Sequence, residues 1–429
     1  MQENAVKDLS LDVLPKLLSH QIEGIFPGEN CILPYYDGFS LVNIPNTICT
    51  ILGCSQFGAP KLSSTILDHL ADTYENVIFL LADGVRLDFL RSFLKKSPWV
   101  DLMGSAVFSP LTSITPSTTS AALTSLWTGR YPSEHGIVGY EVWLREYGVV
   151  ANMILHSAFS FQGDVGGLQR AGFDPLNFLP VPTMGPHLMQ NNIHPYALQN
   201  ISIAYSGLSK MLFPGVNVIP YRTNQDLFVS LEELFKTKKK ERKYAYIYWE
   251  AIDTLSHRYG PEDERNYREF EHFSNGLVAS LSNIRKSTHG KTLFILSADH
   301  GFIHTPILDR YNLKQYFDIN KMLVMFPTGE NRLPYLFPKN GYRDEVVELI
   351  KKHFQEDFLA IPSKIAIEKG LLGPGKLHPT LDDRLGEWVL IPQGNAYLWW
   401  SWQKDNPLLG RHGGLSKEEM LIPFLAIDL

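Results

Sequence analysis

With 429 residues, 44% of them hydrophobic and 20% charged, the chain can bury a substantial core and does not have the composition of a disordered protein. Its 45 acidic residues outnumber its 39 basic ones, and the resulting net charge of −6 argues against an extensive nucleic-acid-binding tract. Three scattered cysteines, Cys31, Cys49 and Cys54, form no disulfide framework, the first residues lack a basic start followed by an apolar segment, and no run reaches the ~18 apolar residues of a membrane span, so the expected address is the cytoplasm.

In chain order, Pro60–Leu70 carries helical signals, and Val77–Ala82 follows as a near-continuous apolar run, the pattern of a strand buried on both faces. That run leads into Asp83-Gly84. The Thr115–Arg130 segment is rich in hydroxyls, and its apolar spacing from Ala121 to Trp127 predicts a helix with Thr118 or Thr119 near its positive end. Either threonine suits phosphate binding or nucleophilic attack, and either suits simple helix capping.

Asn192–Gln225, rich in Pro, Gly, Ser and Tyr, offers no clear long helix. Ser230–Phe235 is helical in pattern, and the basic run Lys236–Lys243 reads best as a solvated helix end before the strand Tyr244–Trp249. Beyond that strand lies Asp253-Thr-Leu-Ser-His257, whose i, i+4 side chains share a helix face and can close on one ion, although surface hydrogen bonding or capping is the commoner reason for that spacing taken alone. The third strand, Thr292–Ser297, runs into Asp299-His300-Gly301, where the glycine permits a close backbone approach or a positive φ.

Residues 311–403 combine a helical stretch at Asp344–His353 with strand-like Glu387–Ile391 and Asn395–Trp400, and read as an inserted subdomain. Arg411-His412-Gly413-Gly414 then precedes a last strand, Leu421–Ile427. Strands buried on both faces and separated by helices pack most simply as a mostly parallel sheet, with the active site beyond the carboxyl ends of its strands. Asp83, Asp253 and Asp299 follow three such ends and could meet in one crevice.

The blocks LLADGVR (80–86), PSTTSAALTSLWTGRYPSEHGIVGY (116–140), EAIDTLSHRYGP (250–261), SADHGF (297–302) and RHGG (411–414), in this order, resemble the alkaline phosphatase superfamily, particularly its type I phosphodiesterase and nucleotide pyrophosphatase branch. The resemblance implies a three-layer α/β/α sandwich with a mostly parallel central sheet and a small inserted cap. Residues 1–310 would form the main part of the catalytic domain, 311–403 the cap, and 404–429 the return to the catalytic domain.

It also implies two divalent cations, Zn²⁺ first and Mn²⁺ second. Asp253, His257 and His412 would hold one, and Asp83, Asp299 and His300 the other, beside Thr119. Thr119 matches the nucleophile, with Thr118 as the neighbouring alternative, and in-line attack on phosphorus would give a phosphothreonine intermediate. The implied substrate is a small phosphate ester or nucleotide-like molecule, a phosphodiester or nucleotide pyrophosphate ahead of a phosphomonoester or phosphonate. A non-catalytic, metal-stabilised binding protein is the alternative of a different class. A sulfatase is disfavoured because no cysteine-centred signature surrounds Thr118 and Thr119, and no interface signal speaks for or against a homodimer.

One departure stands out. The branch commonly places an Asn three residues after the nucleophile to contact a phosphoryl oxygen, where this chain has Ala122, which cannot donate. Arg86 and Arg130 are candidate replacements, His135 reads as a residue that orders its neighbourhood, and His156 and His304 are accessory candidates.

Overall fold

The computed structural model describes residues 6–96, 98–160, 164–288, 291–401 and 406–429. The predicted strands form at Asn76–Ala82, Lys243–Trp249 and Thr292–Ser297 and lie side by side in parallel, each fully buried as its apolar run requires. They are the centre of an eight-stranded sheet. Its order is Lys7–Asp8, Ala106–Thr112, Leu421–Asp428, Thr292–Ser297, Asn76–Ala82, Lys243–Trp249, His194–Asn200 and Asn217–Tyr221. Only Leu421–Asp428 runs antiparallel to its neighbours. With its flanking helices the sheet makes the expected three-layer α/β sandwich.

Two of these strands lie in the segment that shows no clear element in sequence, 192–225. The predicted helix at Pro60–Leu70 shortens to Ser64–Leu67, whereas Ser230–Phe235 extends to Asn224–Thr237. No helix among the described residues is long and apolar enough to cross a membrane.

A second sheet of seven short strands stands over the first. Its order is Phe358–Pro362, Trp388–Pro392, Leu333–Leu336, Thr328–Glu330, Glu141–Leu144, Val149–Asn152 and Ser157–Ala158. Four of its strands come from 311–403 and three from 141–158, joined where Gly329 pairs with Glu141. Residues such as Tyr311, Val346, Phe354, Leu390 and Tyr397 form a second hydrophobic core, to which this sheet gives Leu336 and Leu390 while Tyr335, Val389 and Ile391 join the main core. Asn395–Trp400, strand-like in sequence, is a loop whose side chains fill that second core. Its one ladder contact is an isolated bridge from Trp399 to Asn312.

Candidate active site

The carboxyl ends of the three central strands converge. Asp83 directly follows its strand, and its N–H donates to Trp249 O of the neighbouring strand at 2.9 Å. Gly84 turns the chain away with φ 73°, and a side chain there would collide with the Phe302 ring, its Cβ 2.6 Å from the nearest ring atom. Asp253 sits in the first turn of the helix Ala251–Tyr259, one turn before His257. At Gly301 the glycine serves close approach: a Cβ would lie 2.0 Å from Glu418 O.

Three imidazoles face three carboxylates. Each histidine has its Nδ1 against a backbone carbonyl: His257 to Gly410 O at 3.0 Å, His300 to Gly301 O at 3.1 Å, and His412 to Ser117 O at 3.1 Å. A carbonyl oxygen only accepts, so Nδ1 carries the proton and Nε2 presents a lone pair to the acids. His257 Nε2 and His412 Nε2 lie 3.5 and 3.7 Å from Asp253 Oδ1, and His300 Nε2 lies 3.5 Å from Asp83 Oδ1 and 3.4 Å from Asp299 Oδ2. Burial lowers the pKa of all three imidazoles, His257 to about 4, which keeps them neutral.

The acids are crowded and under-satisfied. Asp83 Oδ1, Asp253 Oδ1 and Asp299 Oδ2 are buried without a hydrogen-bond partner. Burial, followed by the charge of Asp299, pushes Asp83 and Asp253 well above the usual carboxylate range, although the hydroxyl of Tyr248 donates to Asp83 and works the other way. Orphaned carboxylate oxygens facing neutral imidazole nitrogens form a donor set suited to divalent cations. The ligand atoms of Asp83, Asp299 and His300 lie within 4.8 Å of one another, and so do those of Asp253, His300 and His412. His300 thus stands between the two groups, and His257 joins the second through Asp253.

The chain leaves the strand Ala106–Thr112 and reaches these residues at the start of the helix Thr119–Thr128. Thr118 is still extended and its hydroxyl donates to Glu330 Oε1 at 2.5 Å. Thr119 Oγ1 instead lies 3.2 Å from His300 Nε2 and 3.5 Å from Asp83 Oδ2. Both threonines line a cavity of about 590 Å³ shared with Asp253, His257, His412 and Glu330.

Ala122 is fully buried inside the helix and does not line the cavity. Polar groups that do line the cavity include Tyr140, Asn152, Asn331 and Arg411. Neither Arg86 nor Arg130 reaches it. Arg86 pairs with Asp88 and Glu262, and Arg130 with Glu134. His135 bonds to Ser125 Oγ at 3.0 Å and to Ile137 N at 3.1 Å, His156 is buried without a polar partner, and neither they nor His304 lines the cavity. Sequence reasoning missed Tyr248, hidden within an apolar strand, and Glu141 and Glu330, which become neighbours only through the second sheet.

A model of the family described as type I phosphodiesterase / nucleotide pyrophosphatase matches residues 77–415. Among solved structures, murine ectonucleotide pyrophosphatase / phosphodiesterase 5 is 19% identical, with a TM-score of 0.61 over 82% of this chain and 87% of its own. Its human counterpart is 18% identical, with a TM-score of 0.60 over the same shares. Phosphonoacetate hydrolase from Sinorhizobium meliloti 1021 is 17% identical, with a TM-score of 0.59 over 82% of this chain and 89% of its own. At these identities the likeness establishes the fold. No curated protein matches the chain.

Proposed function

This chain belongs to the type I phosphodiesterase / nucleotide pyrophosphatase family, and on that premise we propose that it hydrolyses phosphate esters with Thr119 as nucleophile. The observation that carries the reading is the position of Thr119 Oγ1, 3.2 Å from His300 Nε2 and on the wall of an accessible cavity. Asp83, Asp299 and His300 would hold one divalent cation beside Thr119, and Asp253, His257 and His412 the second. Bound there, the two ions would supply Lewis-acid activation of the hydroxyl and neutralise charge on the leaving oxygen. The mixed carboxylate and imidazole donors favour Zn²⁺, with Mn²⁺ as the alternative.

The chain's own residues account for orientation. The Ala122 N–H bonds back to Thr118 O at 2.9 Å, so the N–H groups before it in the helix are those a phosphoryl oxygen can use. As Thr119 Oγ bonds to phosphorus the ester oxygen departs with its alcohol, leaving phosphothreonine. Water then attacks phosphorus, the Thr119 hydroxyl is restored and the phosphate product leaves.

The substrate we favour is a phosphodiester or nucleotide pyrophosphate. Family membership supports it, as do the aromatic walls of the cavity, where Tyr140, Phe159, Trp399 and Trp400 offer a surface for a base or other flat group. A related murine structure, 19% identical, is described as an inactive threonine-to-alanine variant in complex with AMP. The cap segment 311–403 contributes to substrate choice in this reading, since it brings Glu330, Asn331, Trp399 and Trp400 to the wall. The free thiols of Cys31, Cys49 and Cys54 fit a cytoplasmic address.

The test is a screen of phosphodiesters, nucleotide pyrophosphates, phosphomonoesters and phosphonates with Zn²⁺ and Mn²⁺ supplied separately. Turnover is expected to be fastest on the first two classes, with a labelled phosphoryl group trapped on Thr119. No turnover on any class with both cations bound would leave a binding protein as the reading.

A further inference from the structure

Glu330 and Glu141 are the acids of the cavity wall that neither candidate metal group uses, and Glu330 is the one bonded to the residue before Thr119. It ends the strand Thr328–Glu330 and faces Leu333 across its hairpin, while Gly329 beside it pairs with Glu141. Its Oε1 accepts two hydrogen bonds, from Thr118 Oγ1 at 2.5 Å and from Tyr140 N at 2.8 Å. These fix the carboxyl group against the residue preceding the nucleophile. No hydrogen bond is made by Oε2 among the described residues, and the side chain lines the cavity together with Thr119, Asp253 and His412. No Lys or Arg of the described residues forms an ion pair with it.

An oxygen that already accepts twice acts as the carbonyl oxygen of a carboxylic acid, so a proton on this group belongs on Oε2, the free side. We propose that Glu330 is a substrate-binding residue that, as the neutral acid, donates a hydrogen bond from Oε2 to a non-bridging oxygen of the phosphoryl group at Thr119. The proposal rests on the phosphoesterase reading and adds to it a side chain, outside both candidate metal groups, that takes a phosphoryl oxygen.

The surroundings favour the proton. Burial raises the pKa of Glu330 to about 7 against the donors Thr118 and Tyr140, and Glu419 adds to the rise. The titratable groups facing it are acidic or neutral, apart from Arg411 on the same cavity wall. The others are Glu141 and Tyr140 on and before the strand Glu141–Leu144, Tyr335 on the strand Leu333–Leu336, Asp253 on the helix Ala251–Tyr259, Glu419 on the helix Lys417–Met420, and His412 across the cavity. Arg411 is held by Thr305 Oγ1 and Asn406 Oδ1, each at 2.6 Å, and Arg332 is committed to Glu419 at 2.7 Å.

The experiment measures sulfate binding by calorimetry to the full Zn²⁺-loaded chain between about pH 6 and about pH 9, a range over which the charge of sulfate does not change. The variants are E330Q, which keeps the accepting oxygen and puts an N–H₂ donor in place of Oε2, and E330A. Wild-type affinity is expected to fall about tenfold more than that of E330Q as pH rises, while E330A binds weakly throughout. An equal fall in wild type and E330Q would overturn the proposal, as would wild-type affinity in E330A at the acid end or no sulfate binding by the wild type. Because binding needs no turnover, a chain that hydrolyses nothing yet shows the Glu330-dependent profile refutes the hydrolase and keeps this contact. A chain that hydrolyses esters without that profile does the reverse.

Discussion

Thr118 and Thr119 are chemically identical and adjacent, yet the backbone gives them opposite partners. Thr118 is the last extended residue and points its hydroxyl at Glu330, whereas Thr119 opens the helix and faces His300 and Asp83. Replacing Thr119 by Ala is therefore expected to lower kcat/KM on a phosphodiester by at least about a thousandfold with metal content unchanged, and T118V by only about tenfold, in steady-state assays paired with metal analysis. Equal losses would place the nucleophile elsewhere. Glu141 gives a second prediction at this scale. It is buried, accepts from Trp400 Nε1 at 3.0 Å, and burial raises its pKa to about 8 from an ordinary 4.5. The folded chain thus holds a proton that the unfolded chain releases near pH 4.5, so this stability is present at acid pH and is lost as pH rises through about 8. E141Q keeps the acceptor without the titration. It should be more stable than wild type at alkaline pH by on the order of a few kcal/mol, with the gap closing toward pH 5, in urea unfolding at several pH values.

Elements that carry long apolar runs are legible in the amino-acid sequence, and elements that lack them are hidden. Asn76–Ala82, Lys243–Trp249 and Thr292–Ser297 are buried on both faces, so their residue types alone betray them. His194–Asn200 and Asn217–Tyr221 carry Pro195 and Pro220, and the latter is the half-exposed outer strand of the sheet, so neither shows that pattern. Asn395–Trp400 misleads in the opposite direction: its aromatics are buried by core packing without a ladder. The strands at 141–158 span two to four residues each, too short to show a period, and so the walls they give to the cavity are illegible in sequence. Beside the shared hydrophobic core, a buried ion pair ties the hairpin after Thr328–Glu330 to the helix Lys417–Met420 before the last main-sheet strand: Arg332 Nη2 lies 2.7 Å from Glu419 Oε2, both side chains fully inaccessible. Glu419 also accepts from Gly414 N at 2.9 Å, two residues beyond His412. R332M would strand a buried carboxylate and should cost about 3–5 kcal/mol in chemical unfolding. E419Q should cost less, and the double variant less than the sum of the two. Strict additivity would show that the pair does not couple the layers.

For the whole molecule, the candidate site is a concentration of unbalanced charge at the centre of the fold. The candidate ligand residues are legible because Asp83, Asp253 and Asp299 follow strand ends and His257, His300 and His412 sit in short recognisable blocks. Their convergence follows from the parallel order of the three central strands. The consequence for stability is not legible in the same way, because it depends on which oxygens find partners. Asp83 Oδ1, Asp253 Oδ1 and Asp299 Oδ2 find none, so the folded chain carries buried acids that divalent cations would satisfy and the unfolded chain would not. A ligand that binds only the folded state stabilises it by about 2.7 kcal/mol at a hundredfold excess over its Kd. The melting temperature should thus rise by several degrees on adding Zn²⁺ and fall on chelation. Asp253→Asn sharpens the test, since it removes a crowded acid and a cation ligand together. With chelator the variant should melt at or above the wild-type temperature, because like-charge repulsion with Asp299 is relieved. With saturating Zn²⁺ it should melt below wild type, because a ligand is missing. Scanning calorimetry of both proteins in both conditions reads the crossing directly, and a variant less stable than wild type by the same amount with and without metal would assign Asp253 a purely structural role.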